Sequence, residues 1–228
     1  MQPTYGLMNL QLNFTLGIHM TQPIAEKSVP KLLKSRMRNT KIYVFCVVLV
    51  IIFSSNSIAS ESPLHEIFDF TGYFLVALCA LGRLYCSGFI GGLKNERVIR
   101  SGPYSVVRNP LYVFSFLGVV GIGLQSGLIT AFVLLVGGFL FYYPSVVKRE
   151  EEFLAHKFGE DYVNYCHEVP RWIPNFRLWN EPEEIALRPK FLRRTFFDSM
   201  VFFLPLPAFE ALEHLHAAGY ISFLKFIP

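Results

Sequence analysis

The chain has 228 residues, 52% hydrophobic and only 17% charged, with a mean hydropathy of +0.38. Soluble domains carry about a quarter charged residues, so this composition excludes an ordinary soluble domain and predicts an all-α, polytopic integral membrane protein. The net charge of +4 gathers in loops beside apolar segments, which speaks for membrane lipid as a partner and against nucleic acid.

Residues 1–40 read as a polar N-terminal arm and residues 41–93 as two transmembrane helices. Lys34, Arg36, Arg38 and Lys41 precede the apolar run Ile42–Ile58, the first predicted span. A start at Met37 would instead make Met37–Ser60 a secretory signal. The second apolar segment, Ile67–Gly92, is long enough to span with some tilt; Arg83 inside it is expected near one end or facing protein. Leu111–Leu124 and Leu128–Tyr143, parted by Gln125-Ser126-Gly127, predict a tight helical hairpin, with Gly118, Gly121, Gly123, Gly137 and Gly138 permitting close helix approach. Glu150–Phe158 has helical character. Its acidic start suits the positive end of a helix dipole and Gly159 suits a stop.

Residues 176–228 form a C-terminal extension in which Phe196–Leu212, with Pro205 and Pro207, either spans with a kink or lies re-entrant. The total is about five transmembrane segments. The loops at 60–66 and 125–127 lack Lys and Arg, whereas those before Ile42, at 94–110 and at 145–195 are basic, which places the second group on the cytoplasmic face. Cys46, Cys79, Cys86 and Cys166 lack CxxC spacing, so buried free thiols are expected rather than a zinc site or a disulfide framework. His214 and His216 read as an interfacial pair, and no metal site is expected. Trp172 and Trp179 read as interfacial anchors.

The hairpin would bring two polar stretches to one membrane face. One is Gly102-Pro103-Tyr104 followed by Arg108-Asn109-Pro110-Leu111-Tyr112. The other is Glu150-Glu151 with Leu154, Phe158-Gly159, Tyr162 and Tyr165, then Val169-Pro170-Arg171 with Pro174. Singly, these residues admit plainer roles: a solvated helix start at Glu150–Glu152, an aromatic belt of Tyr104, Tyr112, Tyr142 and Tyr143, and basic lipid anchors, Arg171 among them. Belts and anchors do not require this ordered set.

The set resembles the isoprenylcysteine carboxyl methyltransferase family, which is related to the membrane phospholipid methyltransferases. The resemblance covers residues 94–175, a methyltransferase core. It implies an enzyme dependent on S-adenosylmethionine, with a cytoplasmic cofactor pocket and a lipid-like or prenylated acceptor entering from the bilayer, the carboxylate of an isoprenylcysteine being one such acceptor. The implied cofactor cradle is Glu96, Arg97, Val98, Ile99, Tyr104, Arg108, Asn109, Pro110, Leu111, Tyr112 and Glu150, with Glu151 as the partner that supports Glu150.

These residue types suit that cofactor. Glu150 can pair with its ammonium through a charge-assisted bond, and Arg108 or Arg100 with its carboxylate. Tyr104 and Tyr112 offer aromatic faces to the sulfonium or the adenine. Pro110 biases Asn109 away from helical geometry. Two positions depart from the family pattern. Asn109 stands where many members have His. Val146 stands where the carboxyl methyltransferases place an arginine for the substrate carboxylate, which leaves Lys148, Arg149 and Arg171 as available cations; Arg171 and Arg149 are the expected catalytic pair. Two alternatives stay open: a membrane sterol-type reductase using NADPH, and a non-catalytic protein of the same fold that binds lipid or a partner.

Overall fold

The computed structural model describes Tyr43, Val47, Leu49 and residues 62–91, 93, 96–185 and 187–218. The chain divides into two units, Met1–Cys46 and Val47–Pro228. Tyr43, which is helical, is the described residue of the first; the fold and the site belong to the second. The arm 1–40, most of the run Ile42–Ile58, the Met37–Ser60 alternative and residues 219–228 lie outside the described residues. Among the described residues there is no strand. Three helical stretches are long and apolar enough to cross a membrane, Pro63–Ile90, Ile129–Phe158 and Pro189–Leu212, and Pro110–Gln125 is a shorter apolar helix.

Helix α1, Pro63–Ile90, begins inside the stretch 60–66 that the sequence reads as a loop, because start signals there extend the helix. Ser62 accepts the His65 N–H through its side chain, Pro63 occupies the first turn and Glu66 adds negative charge there. After the single turn α2, Pro103–Val106, come the two arms of the hairpin, α3, Pro110–Gln125, and α4, Ile129–Phe158. They are joined at Ser126–Leu128, where Gly127 takes a φ of 62°. α1 packs chiefly along α3. A Cβ on Gly121 would lie 2.7 Å from the Gly72 carbonyl oxygen, and one on Gly118 would lie 2.7 Å from Cys79 Sγ. Small residues thus let the two backbones approach, as helix packing in lipid favours. Gly123 plays the same part against Phe132 within the hairpin, but Gly137 has nothing within 4 Å of its would-be Cβ and takes no part in close packing.

α4 corrects one expectation. Glu150–Phe158 is not a separate helix. It is the last third of a 30-residue helix that continues through Pro144. Proline removes one backbone donor, and spanning helices tolerate that loss. The acidic dipole cap belongs instead to α5, Glu160–Glu168, with Glu160 and Asp161 in its first turn. Gly159, at φ 58°, ends α4 and begins α5, a backbone state that costs a side-chain-bearing residue more than glycine. The C-terminal stretch is α6, Pro189–Met200, a 3-10 turn at Val201–Phe203 and α7, Pro205–Ala217. The change of helix type falls just before Pro205, whose ring lacks the N–H a regular helix would use.

Arg83 faces protein, not lipid: it donates to Ser115 on α3 and Ser199 on α6. Cys79 and Cys86 are buried free thiols, and Cys166 is a half-buried one.

Candidate active site

The chain folds back so that the foot of α3 meets the C-terminal third of α4, Pro110–Tyr112 against Glu150–Phe158. A third segment, 169–180, with a 3-10 turn at Phe176–Leu178, is laced over the loop that precedes α3. The Arg108 N–H donates to the Pro170 carbonyl at 2.9 Å, the Asn175 N–H to that of Val106 at 2.9 Å, and the Gly102 N–H to that of Asn180 at 2.7 Å. This lacing brings Arg171 beside α4.

Glu151 is the hub. Its side chain is 4% exposed. It accepts Arg171 Nε at 2.9 Å and Asn109 Nδ2 at 3.0 Å, with the second Arg171 nitrogen at 2.8 Å and Arg108 at 3.4 Å. One buried carboxylate therefore binds the feet of both hairpin arms and the Val-Pro-Arg segment together. Glu150, one residue earlier, is turned about 100° around the helix and faces elsewhere: it lines a cleft and accepts the Tyr112 hydroxyl at 3.0 Å.

The cleft is a groove open to solvent on one side, with an enclosed volume of about 70 Å³. Its walls include Arg97, Val98, Ile99, Tyr104, Arg108, Asn109, Pro110, Leu111, Tyr112 and Glu150. Of the cradle expected from sequence, two members stand outside the walls. Glu96 is exposed and paired with Arg188 at 3.0 Å, and Glu151 lies behind, holding Arg108 and Asn109 in place. Arg171 is turned onto Glu151, and Arg149 is exposed and does not line the cleft. Arg100 is committed to α5, with ion pairs to Asp161 at 2.6 Å and Glu168 at 3.6 Å and its guanidinium over the Tyr165 ring. Arg97 makes no ion pair among the described residues and is the wall's available cation.

The structure adds Ile90, Leu154, Phe158, Tyr162 and Tyr165 to the walls. Glu150, Leu154 and Phe158 recur at i, i+4 and i+8, the spacing of one helix face; that stripe was the signal for two of the five. Tyr162 and Tyr165 are 4% and 3% exposed and share a core with Val169. The Tyr165 hydroxyl donates to the Tyr104 carbonyl at 2.7 Å, which fixes the loop. Burial pushes the phenols of Tyr104, Tyr162 and Tyr165 well above their ordinary range, so the wall they form is neutral at any physiological pH. The Tyr104 hydroxyl is buried without a partner among the described residues, a donor that a ligand's acceptor could satisfy. A carboxylate, a cation and several aromatic rings around one cleft suit a ligand that is zwitterionic at one end and a planar base at the other.

The family profile for phospholipid methyltransferase matches residues 70–161, which spans α1 to the start of α5. The cobalt-zinc-cadmium resistance protein CzcN of Cupriavidus metallidurans is 32% identical over 148 residues, 65% of this chain and 68% of that protein. The nickel-cobalt-cadmium resistance protein NccN of Alcaligenes xylosoxydans xylosoxydans is 28% identical over 185 residues, 81% of this chain and 86% of that protein. No solved structure matches the chain significantly.

Proposed function

This chain belongs to the phospholipid methyltransferase family, and from that premise we propose that it is an integral membrane methyltransferase which uses S-adenosylmethionine and acts on a lipid-like acceptor at the cytoplasmic face. The observation that carries the reading is the pairing of Glu150 and Arg97 in one aromatic-walled cleft. Bound there, S-adenosylmethionine supplies a methyl group on a positively charged sulfur. Glu150 holds its ammonium and Arg97 its carboxylate, and both bonds are of the charge-assisted kind. Tyr104, Tyr112 and Phe158 give the base and the sulfonium aromatic surface. Glu151 acts at one remove, keeping Arg108 and Asn109 in position. Methyl transfer needs alignment and exclusion of water more than proton movement, and a rigid hub behind a dry aromatic wall supplies both.

The acceptor is a lipophilic or prenylated molecule, and an isoprenylcysteine carboxylate is one form of it. The reductase alternative asks the same cleft to take NADPH, whose phosphates Glu150 would repel. The two resistance proteins extend the question to whether expression of this chain alters growth on cobalt or cadmium.

The test is calorimetric titration of S-adenosylmethionine into the detergent-purified chain, with NADPH in parallel. Loss of one hydrogen-bonded charge costs about 1.5–3 kcal/mol, so Glu150→Ala should bind about ten- to a hundredfold more weakly. Equal affinity in the variant would sink the assignment of Glu150, and NADPH binding without methyl-donor binding would turn the reading to the reductase.

A further inference from the structure

Arg83 sits inside α1, a candidate span, with no acidic partner among the described residues. A guanidinium has five N–H donors and no acceptor. Two are used: Nε donates to Ser199 Oγ at 3.2 Å and a terminal nitrogen to Ser115 Oγ at 2.5 Å. Three remain. Arg83 is half-buried, and its second terminal nitrogen makes no hydrogen bond among the described residues, which leaves that nitrogen for a ligand. The Phe202 ring, 5.5 Å from the guanidinium carbon, adds a cation–π contact.

Serine hydroxyls and a ring orient a cation but do not neutralise it. A helix clamp needs no full charge, and an ionisable group within a span marks function by default. The two serines are nearly sealed, at 1% for Ser199 and 6% for Ser115. Ser115 is held by its own bond to the Leu111 carbonyl at 2.7 Å. The guanidinium is thus aimed by a rigid frame.

Its place relates it to the cleft. Arg83, Cys86 and Ile90 follow i, i+3, i+7 spacing and share one face of α1, and Ile90 and Leu111 are cleft walls. Seven residues at 1.5 Å each put Arg83 about 10 Å deeper along the helix than Ile90. We propose that Arg83 is the oxyanion site for the methyl acceptor: it binds the phosphate or carboxylate of a lipid-anchored molecule whose chains lie in the bilayer and whose reacting atom reaches the cleft. This rests on the methyltransferase reading, but binding of the anion does not require turnover.

The experiment is fluorescence titration of the full chain in neutral detergent with dodecyl phosphate, dodecanoate and, as the uncharged control, dodecanol. The wild type is expected to bind the anionic probes at least tenfold more tightly than dodecanol, and Arg83→Gln to lose that difference while binding dodecanol as before. Arg83→Lys keeps the charge but not the planar fork, and its affinity for dodecyl phosphate should fall about tenfold. If Arg83→Gln does not fold, the Lys variant decides. Undiminished anion binding in either variant, or equal loss of anionic and neutral probes, overturns the proposal. A preference for dodecyl phosphate over dodecanoate identifies a phosphate head group, and the reverse a carboxylate. Methyl-donor titration of the same samples separates the two readings: Arg83-dependent anion binding without donor binding refutes the methyltransferase and leaves the oxyanion site standing.

Discussion

Glu150 and Glu151 are adjacent and chemically identical, yet their loss should have opposite effects. Glu151→Ala removes the carboxylate that Arg108, Asn109 and Arg171 share. Arg171 is 36% exposed and can rehydrate, so its share is discounted to about 0–1 kcal/mol. Arg108 is 11% exposed, its Nε already lacks a partner, and Glu151 is its ion pair. Stranding a buried charge in this way costs about 3–5 kcal/mol. Together these come to about 3–6 kcal/mol, and at 2–4 °C per kcal/mol for a chain of this size the melting temperature should fall by about 6–24 °C. Glu150→Ala loses the Tyr112 hydrogen bond, about 1 kcal/mol or about 2–4 °C, while it weakens methyl-donor binding about ten- to a hundredfold. Tryptophan fluorescence melting in detergent reads the first effect, because Trp172 adjoins Arg171, and calorimetry reads the second. Equal small shifts for the two alanine variants would refute the hub. Glu151→Gln, which keeps an acceptor for Asn109 but not the charge, should fall between them.

Tyr165→Phe removes the bond to the Tyr104 carbonyl and should lower the melting temperature by about 2–4 °C, that is about 1 kcal/mol; no shift would mean the loop is held by its backbone bonds alone. Gly121→Leu drives a side chain into the Gly72 carbonyl and should prevent recovery of folded protein, whereas Gly137→Ala, with open space around it, should be neutral or stabilising by up to about 1 kcal/mol. Thermal melts of the pair would contradict the packing if Gly121→Leu were tolerated. Alkali should destabilise the fold. Tyr104, Tyr162 and Tyr165 hold their protons more tightly when folded than when unfolded, so the unfolded chain releases protons first and stability falls as pH climbs past about 10. Melting temperatures measured from pH 8 to 11 should be flat at first and then decline; a rise above pH 10 would contradict the burial of these phenols.

The sequence by itself determined the elements. Apolar runs place α1, α3 and the first two thirds of α4 within a few residues, although α1 begins at Pro63, inside the stretch 60–66 read as a loop. The family resemblance of the motifs at the hairpin's feet implied ten of the fifteen residues that line the cleft. The sequence reading misplaced the start of the Glu-Glu helix, because charge pattern cannot tell a helix N-terminus from a long helix that leaves the apolar layer. The resemblance also named Glu150 for the cofactor and Glu151 as its support. Tertiary structure alone decided what Glu151 holds: Arg108, Asn109 and Arg171 reach it because α3 and residues 169–180 pack against α4. Likewise Arg100 goes to α5, Arg171 to Glu151 and Arg149 to the exterior, while Arg97 is left facing the cleft. Nothing local distinguishes these four arginines. Their partners come from chain segments up to 68 residues away, and only packing brings those charges together.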